Sequence, residues 1–244
     1  MKYLIILLCS ISTLSIADTT LTFTNNKDKV GMQMQFANNK MRATSVDDNS
    51  SYMIYDANNT TFTVYTTDKK QYYVMDKKQL DALGDIGAMM DKMMEKQLAN
   101  VPESQREMMR KMMAGAMKAQ MPKQAPKPEY NLTGKSASYN GFDCQVVVKK
   151  SGRKTSEFCA TEYGNLGMSS DEYAIITSFQ QTIAKLAQQY GADNSMDFSS
   201  LGQLMPVHYQ QSGQTGSLKS VNHNKLDASL FAIPEGYKQI KMPF

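Results

Sequence analysis

Alternation dominates the first third of the chain. Leu21 and Phe23, then Val30, Met32, Met34 and Phe36, are spaced by intervening residues of smaller or polar type, the period of two expected of strands with one buried and one solvated face. Asn38-Asn39 reads as a turn and Met41 to Val46 as a third strand. Tyr52 to Tyr55, Thr61 to Thr66 and Gln71 to Met75 predict three more, separated by turn-rich runs at 56–59 and 67–70. These segments form an antiparallel meander laid down in sequence order.

The period changes near Lys77. Stepping about 100° per residue from Leu80 puts Leu83, Ile86, Met89, Met90, Met93, Met94 and Leu98 on one half of a helix. Asp81, Asp85, Lys92, Glu95 and Lys96 take the other half. Asn100-Val101-Pro102 breaks the pattern, and a second helix sets Met108, Met109, Met112, Met113 and Ala116 opposite Arg106, Glu107, Arg110, Lys111 and Lys118. The pair predicts a helical hairpin over 78–121, followed by a proline-rich extended connector to Pro128.

Strands resume from Tyr130 to Thr161. A helix then opens at Ser169, with Glu172 three residues on, the spacing of a capping box. Its apolar side, Tyr173, Ile175, Ile176, Phe179, Ile183, Leu186 and Tyr190, is branched and aromatic, the composition of an ordinary core helix, and Gly191 ends it. Residues 194–202 read as loop, Pro206 to Gln211 and Ser217 to Asn222 as a hairpin, and Ile233 to Tyr237 as the closing segment. A sheet with one apolar face must be covered, and amphipathic helices supply the cover. The expected fold is therefore α+β, a curved antiparallel sheet (an incomplete barrel) covered by amphipathic helices.

The N-terminus changes the picture of where this happens. Lys2, the apolar run Tyr3 to Leu8 and the small-x-small site Ser15-Ile16-Ala17 spell a signal peptide over 1–17, so a periplasmic location is expected, with one domain over 18–244. Cys9 leaves with that segment. Cys144 and Cys159 remain as an even pair in an oxidising compartment and are expected to form a disulfide. A hairpin turning at Ser151-Gly152, with 150 opposite 153, sets the two cysteines directly opposite each other, the four-residue loop from Lys150 to Arg153 being favoured because it gives the closer kind of pair. The formal net charge is +4, and the lysines are scattered without a basic block, so nucleic acid is not an expected partner.

Candidate chemistry centres on sulfur. Ten of the 20 methionines lie between Met89 and Met121. Methionine is flexible and polarizable, so it specifies a unique packing poorly and adapts well to varied apolar guests. A pliable wall over the inner face of the sheet predicts a site lined by Met90, Met93, Met94, Met109, Met112 and Met113 of the hairpin, with Met32, Met34 and Phe36 from the facing strands. The expected partner is a hydrophobic small molecule or lipid, with a lipoprotein or a membrane surface as the larger partner. Two alternatives stand beside it. Paired thioethers at i,i+4 suit Cu(I), and the same helices can dock onto another protein or onto a membrane.

Catalysis has no support in the residues. The two histidines, His208 and His223, are expected on the polar faces of strands, without a nucleophile elbow, a histidine pair or paired carboxylates. No catalytic residue, resident metal or cofactor is assigned.

The segments Tyr52-Met53-Ile54-Tyr55-Asp56, the methionine doublets, Asn140-Gly141-Phe142-Asp143-Cys144, Ser156-Glu157-Phe158-Cys159 and the run from Leu226 to Tyr237 occur in that order. Together they resemble a family of secreted bacterial proteins built on a domain of unknown function with a Met-rich helical insert, along nearly all of the chain after residue 17. That family is similar in outline to the LolA-like lipoprotein carriers. The resemblance implies a curved sheet wrapped around helices, enclosing an apolar cavity, and carries over no catalytic residue.

Overall fold

The computed structural model describes residues 18–242, apart from 28, 47–49, 100, 121–125, 193–195, 197 and 212. The expected signal peptide, and the start of the proline-rich connector, lie outside the described residues.

The six N-terminal strands form as the alternation predicts: β1 (Thr19–Thr24), β2 (Val30–Ala37), β3 (Lys40–Ser45), β4 (Ser51–Asp56), β5 (Thr61–Thr66) and β6 (Gln71–Met75). Three helices follow, α1 (Lys77–Gly84), α2 (Ile86–Leu98) and α3 (Glu103–Gln120), then β7 (Glu129–Tyr139), β8 (Phe142–Ser151) and β9 (Lys154–Glu162). The long helix α4 (Ser170–Gln189), β10 (Leu204–Gln211), β11 (Gln214–Asn222) and the short β12 (Lys238–Gln239) complete the chain. All twelve strands join one large, open, curved sheet in the order β12-β6-β5-β4-β3-β2-β1-β11-β10-β9-β8-β7. The protein is α+β.

The sheet is two meanders zipped together by β1 against β11. It is not wholly antiparallel, because β12 returns to lie parallel to β6 through Lys238 opposite Gln71. Two-residue turns hold the tight corners where consecutive residues adopt positive φ, Asn38-Asn39 between β2 and β3 and Asn140-Gly141 between β7 and β8. That backbone matches the right-handed strand twist, which is why Asn and Gly stand there.

Register decides which side chains share a face. Phe23 pairs with Met32, Leu21 with Met34, Met34 with Ala43, Phe36 with Met41, Met41 with Tyr55 and Tyr55 with Phe62. This apolar face is covered by α4 through Ile175, Ile176, Phe179 and Ile183. Tyr55 Oη lies 2.6 Å from Ser178 Oγ, and the Phe179 ring stands 5.7 Å from those of Tyr55 and Phe62, so the helix is pinned along one side. Its start is capped as expected, Ser169 accepting from the Glu172 amide and Glu172 from the Ser169 amide. On the opposite face Ile54, Tyr65, Tyr52 and Tyr72 are covered by the C-terminal segment, through Leu226, Leu230, Phe231 and Tyr237.

The methionine helices depart from the single long helix expected before Asn100. Asp85 ends α1 and caps α2, its carboxylate accepting from the Ala88 amide at 2.8 Å, so the chain turns there without a proline. Asp76 builds a second capping box with Gln79 at the start of α1. Helix α1 is fastened to the C-terminal half of α4, by Asp81 to Lys185 at 3.1 Å and by the Tyr190 hydroxyl donating to the Leu83 carbonyl at 3.0 Å. Helix α3 folds back on α2, joined by the Arg110–Glu95 ion pair and by Arg106, which donates to the Val101 carbonyl in the turn and to the carbonyl of Ala99, the residue that caps the end of α2.

The disulfide is present between Cys144 and Cys159, with Cα atoms 5.4 Å apart. Its register differs from the expected one. The turn is Gly152-Arg153, Gly152 taking φ +58°, so Ser151 faces Lys154 and Cys159 faces Val146. Cys144 sits two residues along the same face, and the bridge runs diagonally rather than straight across. A one-residue misplacement of the turn accounts for the whole difference.

Candidate functional site

Beside the pinned edge of α4 the sheet and helix do not close completely. A partly enclosed cavity of about 220 Å³ is left between them. Strands β1, β2 and β3 contribute Phe23, Met32, Met34, Met41 and Ala43, side chains the register has already placed on one face. Helix α4 contributes Ile176, Phe179, Gln180 and Ile183, the i, i+3, i+4, i+7 stripe of a single helical face. The far side is built from Met196, in the segment after α4, and from Met205, Pro206 and Tyr209 of β10.

Five thioethers therefore meet at one apolar cavity, from three strands and a loop. No charged side chain is among the described residues lining it, and only Gln180 and Tyr209 carry polar side-chain groups. Burial pushes the Tyr209 phenol above its ordinary pKa, so its hydroxyl stays protonated through neutral and mildly alkaline pH.

Of the residues expected to form a site, Met32 and Met34 line this cavity. Phe36 is the next inward residue of β2 but is fully buried in the core and does not reach the lining. The hairpin residues are elsewhere. Met94 is 7% exposed within the hairpin, whereas Met93 is 52% and Met112 67% exposed; Met109 is exposed and Met113 half-buried, and none of the five lines the cavity. The side chain of Met90 is outside the described residues. The reason is geometric: α1 carries the hairpin at the C-terminal half of α4, where the sheet's apolar face is already covered, so the hairpin packs mainly on itself and on α1.

Most of this cavity's wall was not foreseen from the sequence. The stripe on α4 was legible as an apolar face but was expected to be plain core, and Met41 and Ala43 were visible as alternate residues of β3. Met196 and Met205 carried no periodic signal, the first belonging to no helix or strand.

The histidines differ from expectation as well. His208 is half-buried, its ring stacked on Tyr139 at 3.8 Å and its Nδ1 2.8 Å from Ser217 Oγ, and burial pushes its pKa down. It is a packed, neutral cross-strand residue rather than a solvated one. His223 is exposed, just past the end of β11, with Nδ1 3.2 Å from Thr19 Oγ1. Among the described residues no group of three or more His, Cys, Asp or Glu side chains converges as a metal site.

The sequence profile of a family described as a domain of unknown function (DUF4412) matches residues 75–237. The chain belongs to the DUF4412 family. The match starts at the end of β6, so it takes in the helices and the second meander, while β1 to β5 precede it. The cavity thus straddles the boundary, with Ile176, Phe179, Gln180, Ile183, Met196, Met205, Pro206 and Tyr209 inside the DUF4412 region and the strand residues from Phe23 to Ala43 before it. No curated protein matches the chain. Two solved structures of PNGF-II, in space groups C2 and P21, are similar at a TM-score of 0.42 over 93% of this chain, with 11% and 12% identity. The chain spans about a third of their length, 31% and 32% respectively.

Proposed function

We propose that this DUF4412 protein is a non-enzymatic binding or carrier protein that holds the apolar part of a small hydrophobic molecule or lipid between its sheet and α4. The observation that carries this is the cavity of about 220 Å³ lined by Met32, Met34, Met41, Met196 and Met205. A secreted, periplasmic role follows from the signal peptide expected over residues 1–17, and the LolA-like comparison belongs to this reading, supported by a curved sheet that keeps an apolar space under a helix.

Size sets what can be held. Apolar cavities of about 150 Å³ stay dry and take up benzene, whereas drug-sized pockets run to about 300–1,000 Å³. The cavity lies between these limits, so it suits an aromatic ring or the end of an acyl chain, and a twelve-carbon chain would leave about half of its length outside. At about 0.8 kcal/mol per buried methylene, six such groups give about 5 kcal/mol, a submillimolar affinity. The three rotatable bonds of each methionine let the wall follow the shape of the guest.

The test is a titration of full-length protein carrying 13C-methyl methionine with toluene, followed by NMR. Shifts confined to Met32, Met34, Met41, Met196 and Met205 are expected. No shift at near-saturating toluene, or shifts restricted to Met93, Met108 and Met112, refutes this location for a guest.

A second reading is favoured by a separate observation. Met108 is 70% exposed and shares its helical face with Met112. A sulfur-rich surface of this kind suits docking onto another protein or a membrane. Deleting 86–120 then abolishes binding to vesicles or partner while leaving toluene uptake intact.

A further inference from the structure

Two positions around the cavity break local rules, and both concern a lining residue whose side chain carries a polar group. Helix α4 presents Ile176, Phe179 and Ile183 to the cavity, yet the fourth member of that stripe is Gln180. In β11, a strand interior that favours branched residues carries Gly216 directly opposite Tyr209. A Cβ at Gly216 would lie 2.5 Å from three atoms of the Tyr209 side chain, its hydroxyl oxygen among them. The glycine is therefore the space in which the tyrosine lies flat, and any larger residue would lift the ring and move its hydroxyl. Departures of this kind from otherwise consistent patterning concentrate at functional or strained sites.

No hydrogen bond among the described residues holds the Gln180 amide or the Tyr209 hydroxyl, and both side chains are half-buried. Both border a space with no cation and no anion in its lining. An amide offers donor and acceptor, and a protonated phenol donates and accepts once more. A carboxylate or ammonium brought here would lose its hydration with no counter-charge to replace it, whereas a hydroxyl or carbonyl oxygen would be satisfied.

We infer that the guest is a neutral amphiphile: its apolar end fills the methionine cavity, and a hydroxyl or carbonyl group is met by Gln180 and Tyr209. Gln180 and Tyr209 are then the specificity-determining residues, and Gly216 positions the second. This rests on the cavity being a binding site, and it adds the chemical class of the ligand.

The experiment compares three ligands with one ring and different polar ends: toluene, benzyl alcohol and benzoate. Binding is read from the methyl signals of the cavity methionines in the wild type and in the double variant Gln180→Leu with Tyr209→Phe. Benzyl alcohol is expected to weaken about tenfold in the variant, the size of one or two net hydrogen bonds, while toluene changes by less than about threefold and benzoate shifts nothing in either protein. A thermal midpoint within a few degrees of wild type, together with retained toluene binding, shows that the variant is folded, and Gln180→Leu alone keeps the test usable if the pair is not. Equal loss or equal retention of toluene and benzyl alcohol overturns the inference while leaving the cavity as a site. Benzoate binding as tightly as benzyl alcohol overturns the neutrality of the guest. No response to any of the three removes the binding site itself, and the inference with it.

Discussion

Filling the cavity from the sheet side is the sharpest probe of whether it is space or merely loose packing, and Ala43→Leu does so. Ala43 lines the cavity from the middle of β3, between Met34 on β2 and Met53 on β4. Leucine adds three carbons. At about 0.8 kcal/mol for each one buried, the gain is about 2.4 kcal/mol. Ordering the new side chain costs about 0.5–1 kcal/mol, which leaves the variant more stable by about 1.5 kcal/mol. For a domain of this size that is a rise in Tm of about 3–6 °C. In a closed core the same three carbons would force strained rotamers and cost about 1–3 kcal/mol instead. The sign of the change therefore separates the two cases, whatever its exact size. Urea unfolding followed by circular dichroism gives the stability difference, and the toluene titration gives the second readout, since leucine occupies the space the ring needs. A fall in stability, or toluene uptake undiminished in the variant, refutes the view that this space is open and is where a guest sits.

Other expectations follow from individual side chains. Replacing Cys144 and Cys159 together by Ser removes a cross-link spanning a sequence separation of 15 and should lower urea-measured stability by about 3 kcal/mol on the chain-entropy account; a loss under about 1 kcal/mol contradicts that account here. Met94→Ala, at a site 7% exposed, should cost about 2–4 kcal/mol, whereas Met108→Ala, at 70% exposure, should stay within about 0.5 kcal/mol; equal costs would mean the hairpin packs differently. Tyr65 is 2% exposed, and burial, reinforced by Tyr52, Tyr72 and Tyr237, pushes its pKa up to about 12. Because the folded state raises this pKa above the unfolded value of about 10, the stabilisation is complete below pH 10 and is lost as pH rises toward 12. Two units correspond to at most about 3 kcal/mol. Urea midpoints at pH 9 and pH 11.5 should differ in the wild type, and by clearly less in Tyr65→Phe; an equal alkaline loss in both proteins places the effect elsewhere.

Much of this architecture is local and was legible from spacing alone. Alternating residues from Leu21 to Met75 specify strands because successive side chains must leave opposite faces, and Asn38-Asn39 specifies its turn because few other residues tolerate positive φ twice in succession. Ser169 with Glu172 announces a helix start through hydrogen bonds that close within four residues. The pairing of Cys144 with Cys159 needed only the even count and the compartment expected for the chain. One departure was local in origin as well: moving the turn from Ser151-Gly152 to Gly152-Arg153 turned a direct bridge into a diagonal one.

What covers the sheet was a different kind of question. An amphipathic stripe records that one side of a helix avoids water, without recording which surface it meets, so composition alone pointed to the methionine hairpin as the wall of the site and to α4 as plain core. The choice is made by contacts far apart in the chain: Tyr55 with Ser178, Phe62 with Phe179, Asp81 with Lys185. Once α4 occupies the apolar face, the hairpin is held at the end of that helix. The five cavity methionines come together because β1, β2 and β3 are registered beside one another while Met196 and Met205 arrive from more than 150 residues away. Side-chain periodicity is a property of a dozen neighbouring residues, whereas an enclosed space belongs to surfaces brought together by the whole chain, and for that reason only the tertiary structure could locate it.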